Sequence, residues 1–141
     1  MTADEPTVER ELEMRAAVLL AIIAAFVSQP AVSYVVRHGA VPASLQGTWA
    51  ATDEDCKNAD KSIIISDKTY IDPDKSCGVL WVSETAAARG SIYSAHMQCS
   101  SLAAGSKKSI DNLLISAKDA NHLSMGPDFG NLKVVQRCTT Q

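Results

Sequence analysis

The chain has 141 residues, 16 acidic and 13 basic, for a formal charge of −3. That length suits one modest domain beyond any leader, and the charge balance excludes the basic field that nucleic acid requires. The imbalance sits at one end: Asp4, Glu5, Glu9, Glu11 and Glu13 face only Arg10 and Arg15 in the first 33 residues, and the other 11 acids and 11 bases cancel.

Residues 1–13 read as a solvated acidic tail. Translation starting at Met14 would remove them and place Met-Arg directly before an apolar core. Ala16 to Val27 is uninterrupted by any polar residue, Arg15 precedes it, and Ser28-Gln29-Pro30 breaks it. Small residues follow at Ala31-Val32-Ser33, an A-x-A-like site that would leave Tyr34 as the mature N-terminus. A positive charge, a short apolar core and small residues at the cleavage site are the layout of a secretory signal peptide. Left uncleaved, Ala16 to Val36 between Arg15 and Arg37 is long enough to anchor in a bilayer. An ordinary core helix would show a polar face, and this segment has none. The expected organisation is an acidic tail (1–13), a hydrophobic signal or anchor helix (14–33), an extended arm (34–44) and a disulfide-stapled β-domain (45–141).

Gly39 and Pro42 keep the arm, Tyr34 to Ser44, out of regular structure. Gln46 to Ala51 opens the domain as a first strand, and polar Thr52 to Lys57 turns away from it. Ile63-Ile64-Ile65 and Thr69-Tyr70-Ile71 read as a hairpin across Asp67-Lys68. Asp72-Pro73-Asp74-Lys75 is a turn: proline fixes φ and the aspartates accept from backbone amides. Cys77 to Val82 reads as a strand buried on both faces, and Ser83 to Arg89 as one or two helical turns or a loop. In Ser91 to Cys99, Tyr93, Ala95, Met97 and Cys99 share one face and Ser94, His96 and Gln98 the other. Leu113-Leu114-Ile115 and His122 to Met125 are two more short strands. In the last one, Leu132, Val134 and Cys138 are expected inward and Lys133 and Arg137 outward. Such short strands with turns between them predict an all-β fold, a small antiparallel meander barrel of seven or eight strands or a sandwich, behind the N-terminal signal helix.

All four cysteines, Cys56, Cys77, Cys99 and Cys138, fall beyond the apolar segment. An even number in an exported domain predicts two disulfides. Cys56–Cys77 and Cys99–Cys138 are the favoured pairs, although a barrel whose first and last strands are neighbours would join Cys56 to Cys138. No pair has C-x-x-C spacing, so no zinc site is expected.

Catalytic patterns are thin. His38, His96 and His122 are isolated, and alternation puts His96 and Cys99 on opposite faces of one strand. Asp53-Glu54-Asp55 lacks the alternating oxygen ligands and glycine of a calcium loop, and neither a G-x-S-x-G elbow nor a phosphate-cradling glycine loop is present. No enzyme activity, cofactor or metal is expected. Trp49, Tyr70, Trp81 and Tyr93 read first as core and barrel-end packing, with an apolar pocket if some of them line an open end.

Leu45-Gln46-Gly47-Thr48-Trp49-Ala50 resembles the G-x-W signature that opens lipocalin-type barrels. In size the domain is similar to the small exported eight-stranded barrels of bacteria, notably metalloprotease inhibitors of the Inh type. The resemblance implies that Trp49 plugs one barrel end and that Tyr34 to Ser44 enters a protease cleft. Arg89-Gly90-Ser91-Ile92-Tyr93 is similar in outline to the Ser- and Gly-rich motif of exported lysozyme inhibitors. The functional expectation is an exported binding or inhibitory module of the cell envelope. Its partner would be an exported protease, another envelope protein or a small apolar ligand, with Tyr34, Arg37, His38, Trp49 and Trp81 as candidate contacts. Nucleic acid is excluded, and a membrane enters only if the apolar segment is uncleaved. The alternative is a membrane-anchored structural envelope protein.

Overall fold

The computed structural model describes residues 34–103 and 107–139. The acidic tail and the candidate signal or anchor segment lie outside them. Among the described residues no helix is long and apolar enough to cross a membrane.

The chain is all-β. Its strands are β1 (Val35–His38), β2 (Gly47–Ala50), β3 (Ile63–Ile65), β4 (Thr69–Ile71), β5 (Lys75–Ala87), β6 (Gly90–Ser101), β7 (Lys108–Ala117), β8 (His122–Gly126) and β9 (Lys133–Arg137). From β2 to β9 each strand pairs antiparallel with the next, and β9 returns to β2 through Trp49 opposite Arg137, so eight strands close a meander barrel. Closure removes the exposed sheet edges that an open meander would present. The ninth strand, β1, lies outside this circuit and pairs with the far half of β5, from Val35 opposite Thr85 to His38 opposite Val82.

The alternation written into the sequence decides what fills the barrel. Ala95, Met97 and Cys99 on β6 are buried, as are Leu113 and Ile115 on β7 and Leu123 and Met125 on β8. Tyr93 packs partly buried against them. In the Asp72–Lys75 turn, Asp72 Oδ1 accepts from the amides of Asp74 and Lys75 at 2.8 and 2.9 Å. The aspartate-and-proline turn thus forms by the mechanism its residues suggest.

Five expectations need correction. The arm is extended but not free: Val35–His38 is a sheet strand, and Val41 is buried after it. Ser83 to Ala87 is neither helix nor loop, because twelve residue pairs tie β5 to β6 and carry both strands on to a tight turn at Ala88-Arg89. Tertiary pairing overrides the helix preference of three alanines. Cys77 to Val82 is buried on one face only; Cys77, Val79 and Val82 point in, Gly78 and Leu80 are exposed, and the register shifts between Val79 and Trp81. The faces of β9 are the reverse of expectation: Val135 is buried against Leu123 opposite it, whereas Val134 is exposed. The period of two then turns Arg137 inward.

The fifth correction is to the favoured cysteine pairs, Cys56–Cys77 and Cys99–Cys138: the disulfides are Cys56–Cys138 and Cys77–Cys99. Cys77 and Cys99 stand directly opposite each other on β5 and β6, where cross-strand proximity leaves no other partner in reach. Cys138 follows β9 and Cys56 follows β2, so the neighbour relation that closes the barrel also brings these two together. Two disulfides suggest an oxidising, exported environment.

Candidate functional site

Trp49 is fully buried, its indole N–H donating to Leu45 O at 3.1 Å. Arg137 covers it, with the guanidinium carbon 4.2 Å from the ring centroid. Three carbonyls hold that guanidinium: Gln46 O on Nη1 at 2.6 Å, Ser44 O on Nη2 at 2.9 Å and Ala120 O on Nε at 3.0 Å. Gly47 is what leaves room, since a Cβ there would stand 2.7 Å from Arg137 Nη1, and its φ of 139° suits glycine. The Gly-x-Trp spacing is therefore a closure device, and Trp49 makes no surface contact.

The opposite situation holds on the outer face. Register partners share a face, so Arg37 and Ser83 point outward together, as do Trp81, His96 and Asn112. Arg37 lies over the Trp81 ring at 4.2 Å. The other side of the indole stacks on His96, with centroids 4.9 Å apart and planes 20° from parallel. His96 Nδ1–H donates to Asn112 Oδ1 at 2.8 Å. A guanidinium, an indole, an imidazole and an amide thus form one continuous ladder across β1, β5, β6 and β7. Each contact is worth about 0.5–1 kcal/mol at an exposed position.

Behind this ladder, on the inward side, Glu84 gathers three donors. Ser91 Oγ–H donates to it at 2.5 Å, His38 Nε2–H at 2.7 Å and Tyr93 O–H at 3.3 Å. The Ser91 hydroxyl first, then the His38 ring, hold its carboxyl below the usual carboxylate range. Burial pushes the Tyr93 hydroxyl up. The cluster contains serine, histidine and a carboxylate, yet it is not wired for nucleophilic attack: Ser91 gives its proton's bond to Glu84, whereas an activated serine donates to an imidazole. Its effect is positional. With Arg37 on one face of β1 and His38 on the other, the strand is clamped to β5 from both sides.

Of the expected contacts, the structure brings Arg37 and Trp81 together on the outer face and places His38 behind them. Tyr34, 73 % exposed, directly precedes the same strand. Sequence reading missed Glu84 as the partner of His38, Ser91 and Tyr93 as further donors to Glu84, and Asn112 as a partner of His96. The alternation that puts His96 on the polar face was legible; the strand opposite it was not. Asp53-Glu54-Asp55 is a loop in which Asp55 accepts from Thr52 Oγ1 at 2.7 Å and pairs with Lys61 at 3.3 Å. Among the described residues no group of three or more His, Cys, Asp or Glu is placed to hold a metal. Compared with known proteins, the chain matches no family model, no curated protein and no solved structure.

Proposed function

We propose that this protein is a non-catalytic binding module of an exported compartment, and that it holds a partner protein against the outer face of β1 and β5–β7. The observation that carries this reading is the Arg37–Trp81–His96 stack on that face. Tryptophan and arginine are the residues most often found at interface hot spots, and here each is already held by its neighbour, so little side-chain freedom is lost on contact. Trp49, Met97, Leu123 and the rest of the core fill the barrel, which favours an external protein contact over an enclosed apolar ligand. An inhibitor of an exported enzyme is one form such a module takes. Cleavage after Ser33 would release it, and retention of residues 14–33 would tether it.

The test is a photo-crosslinking scan of the full chain in the cells that make it. A benzoylphenylalanine is placed in turn at Ser83, Gln98 and Asn112 on this face and at Val134 on β9, which is 50 % exposed. Adducts to one protein from the first three positions and none from Val134 support the reading. Absence of protein adducts at every position defeats it.

A further inference from the structure

The outer surface of β1 and β3–β7 is sorted by charge. Of the 11 acids beyond residue 33, Asp53, Glu54, Asp55, Asp60, Asp67, Asp72, Asp74, Asp119 and Asp128 lie between strands, in turns, loops and short 3-10 helices. The other two, Glu84 and Asp111, are register partners of Tyr93 and Met97 and so lie on the inward side. No outward position of these strands carries a carboxylate. The same face carries two permanent cations. Arg37 stands in the row of Ser83, Ser94 and Leu114, and Lys108 in the row of Ile71, Ser76 and Ser100. Neither cation has a carboxylate partner among the described residues.

Between those cations the face is mixed: Trp81 and Ile110 stand among His96, Asn112, Gln98 and Thr69. Ile71 and Ile110 are exposed at 36 % and 55 %. Gly78, in the row joining Thr69, Gln98 and Ile110, has open space where a Cβ would stand. Trp81 lies in the row between Gly78 and Ser83, on the side of Arg37.

We infer that this face binds a partner protein through its carboxylates: aspartate or glutamate side chains reach Arg37 and Lys108 while the partner packs over Gly78 and Ile110 between them. The inference rests on the binding-module reading and names the chemistry of its partner. Charge complementarity is the argument. A strand face that holds cations and carries no carboxylate at its outward positions disfavours basic partners and steers acidic ones. Two cations are too few for the phosphate contacts that give nucleic acid binding its strength. The free guanidinium fork of Arg37, flat on an indole, suits a carboxylate bidentately.

The experiment uses the protein captured from Gln98 by the crosslinking scan. That protein is identified by mass spectrometry, purified, and its affinity measured for the wild-type full chain and for Lys108→Glu, Arg37→Glu and Glu54→Lys. Lys108→Glu is the decisive variant, because Lys108 takes no part in clamping β1. The expected result is a loss of roughly tenfold or more for Lys108→Glu and for Arg37→Glu, with Glu54→Lys unchanged and the melting points of Lys108→Glu and Glu54→Lys within a few degrees of wild type. The adduct should map to a stretch of the partner containing aspartate or glutamate. Wild-type affinity for Lys108→Glu, an adduct in a carboxylate-free stretch, or adducts only to lipid or to a second copy of this chain would overturn the inference. A protein captured at Gln98 whose binding ignores both reversals leaves the module standing and removes the acidic partner; a chain that captures nothing removes both.

Discussion

Replacing Arg137 by alanine tests the closed end of the barrel. The substitution removes donors from the carbonyls of Gln46, Ser44 and Ala120 and uncovers the Trp49 ring. Water can reach those carbonyls at the barrel rim, so each lost bond costs nearer 0.5 than 1.5 kcal/mol. The lost cation–π contact adds about 1 kcal/mol. The total is about 2–3 kcal/mol, which for a domain near 100 residues lowers the melting temperature by roughly 8–20 °C. Arg137→Lys keeps one charge that can reach the ring and one carbonyl, and should recover about half of the loss. Urea unfolding with both disulfides intact, followed by tryptophan fluorescence, measures the difference directly. Stability within about 0.5 kcal/mol of wild type for Arg137→Ala would refute the view that this guanidinium closes the barrel.

Other outcomes follow from the same geometry. Gly47→Ala should cost about 1–3 kcal/mol in the same unfolding assay, because the new Cβ meets Arg137 Nη1 and the backbone sits at positive φ. Removing the Cys56–Cys138 bridge, which spans 82 residues, should destabilise by about 4–5 kcal/mol through loop entropy, more than the loop-entropy part of the 22-residue Cys77–Cys99 bridge at about 3 kcal/mol; equal losses on that account would argue against the pairing. The folded Glu84 carboxyl is depressed, so its contribution to stability is present above the ordinary carboxylate value of 4.5 and is lost as pH falls through the folded value. The stability gap between wild type and Glu84→Gln should therefore narrow on acidification below pH 4.5, and a gap that widens there would contradict the assignment. Trp81→Ala should loosen β1, raising hydrogen exchange at Val36 and Arg37 by roughly 5- to 30-fold, the equivalent of 1–2 kcal/mol of lost stacking. Unchanged exchange there would mean that the ladder of β1 on β5 holds without the stack.

Much of the fold could be read from local pattern. Alternation in Ser91 to Cys99 named the buried face of β6, and Asp72-Pro73 named the turn before β5, because both depend on residues adjacent in sequence. What could not be read depends on strands meeting across the barrel. Glu84 looked like part of an alanine-rich helical turn until β6 lay beside it. His38 looked like part of a free arm because its partner is 46 residues away. The cysteine pairs were misassigned for the same reason: sequence distance favoured Cys56 with Cys77, while barrel closure puts β9 next to β2. In β9 a single residue of register exchanged the faces of Val134 and Val135, and with them the role of Arg137. The ladder through Trp81 needed four strands in register before it existed, so its residues were visible singly and its geometry was not.

The measurement that bears most directly on this account is a non-reducing peptide mass map of the protein purified from the cells that make it. Both the exported compartment and the closed barrel that presents the Trp81 face predict two disulfide-linked peptides, one joining Cys56 to Cys138 and one joining Cys77 to Cys99. Free thiols at these positions would contradict the compartment, and a Cys56–Cys77 peptide would contradict the barrel on which the binding face is built.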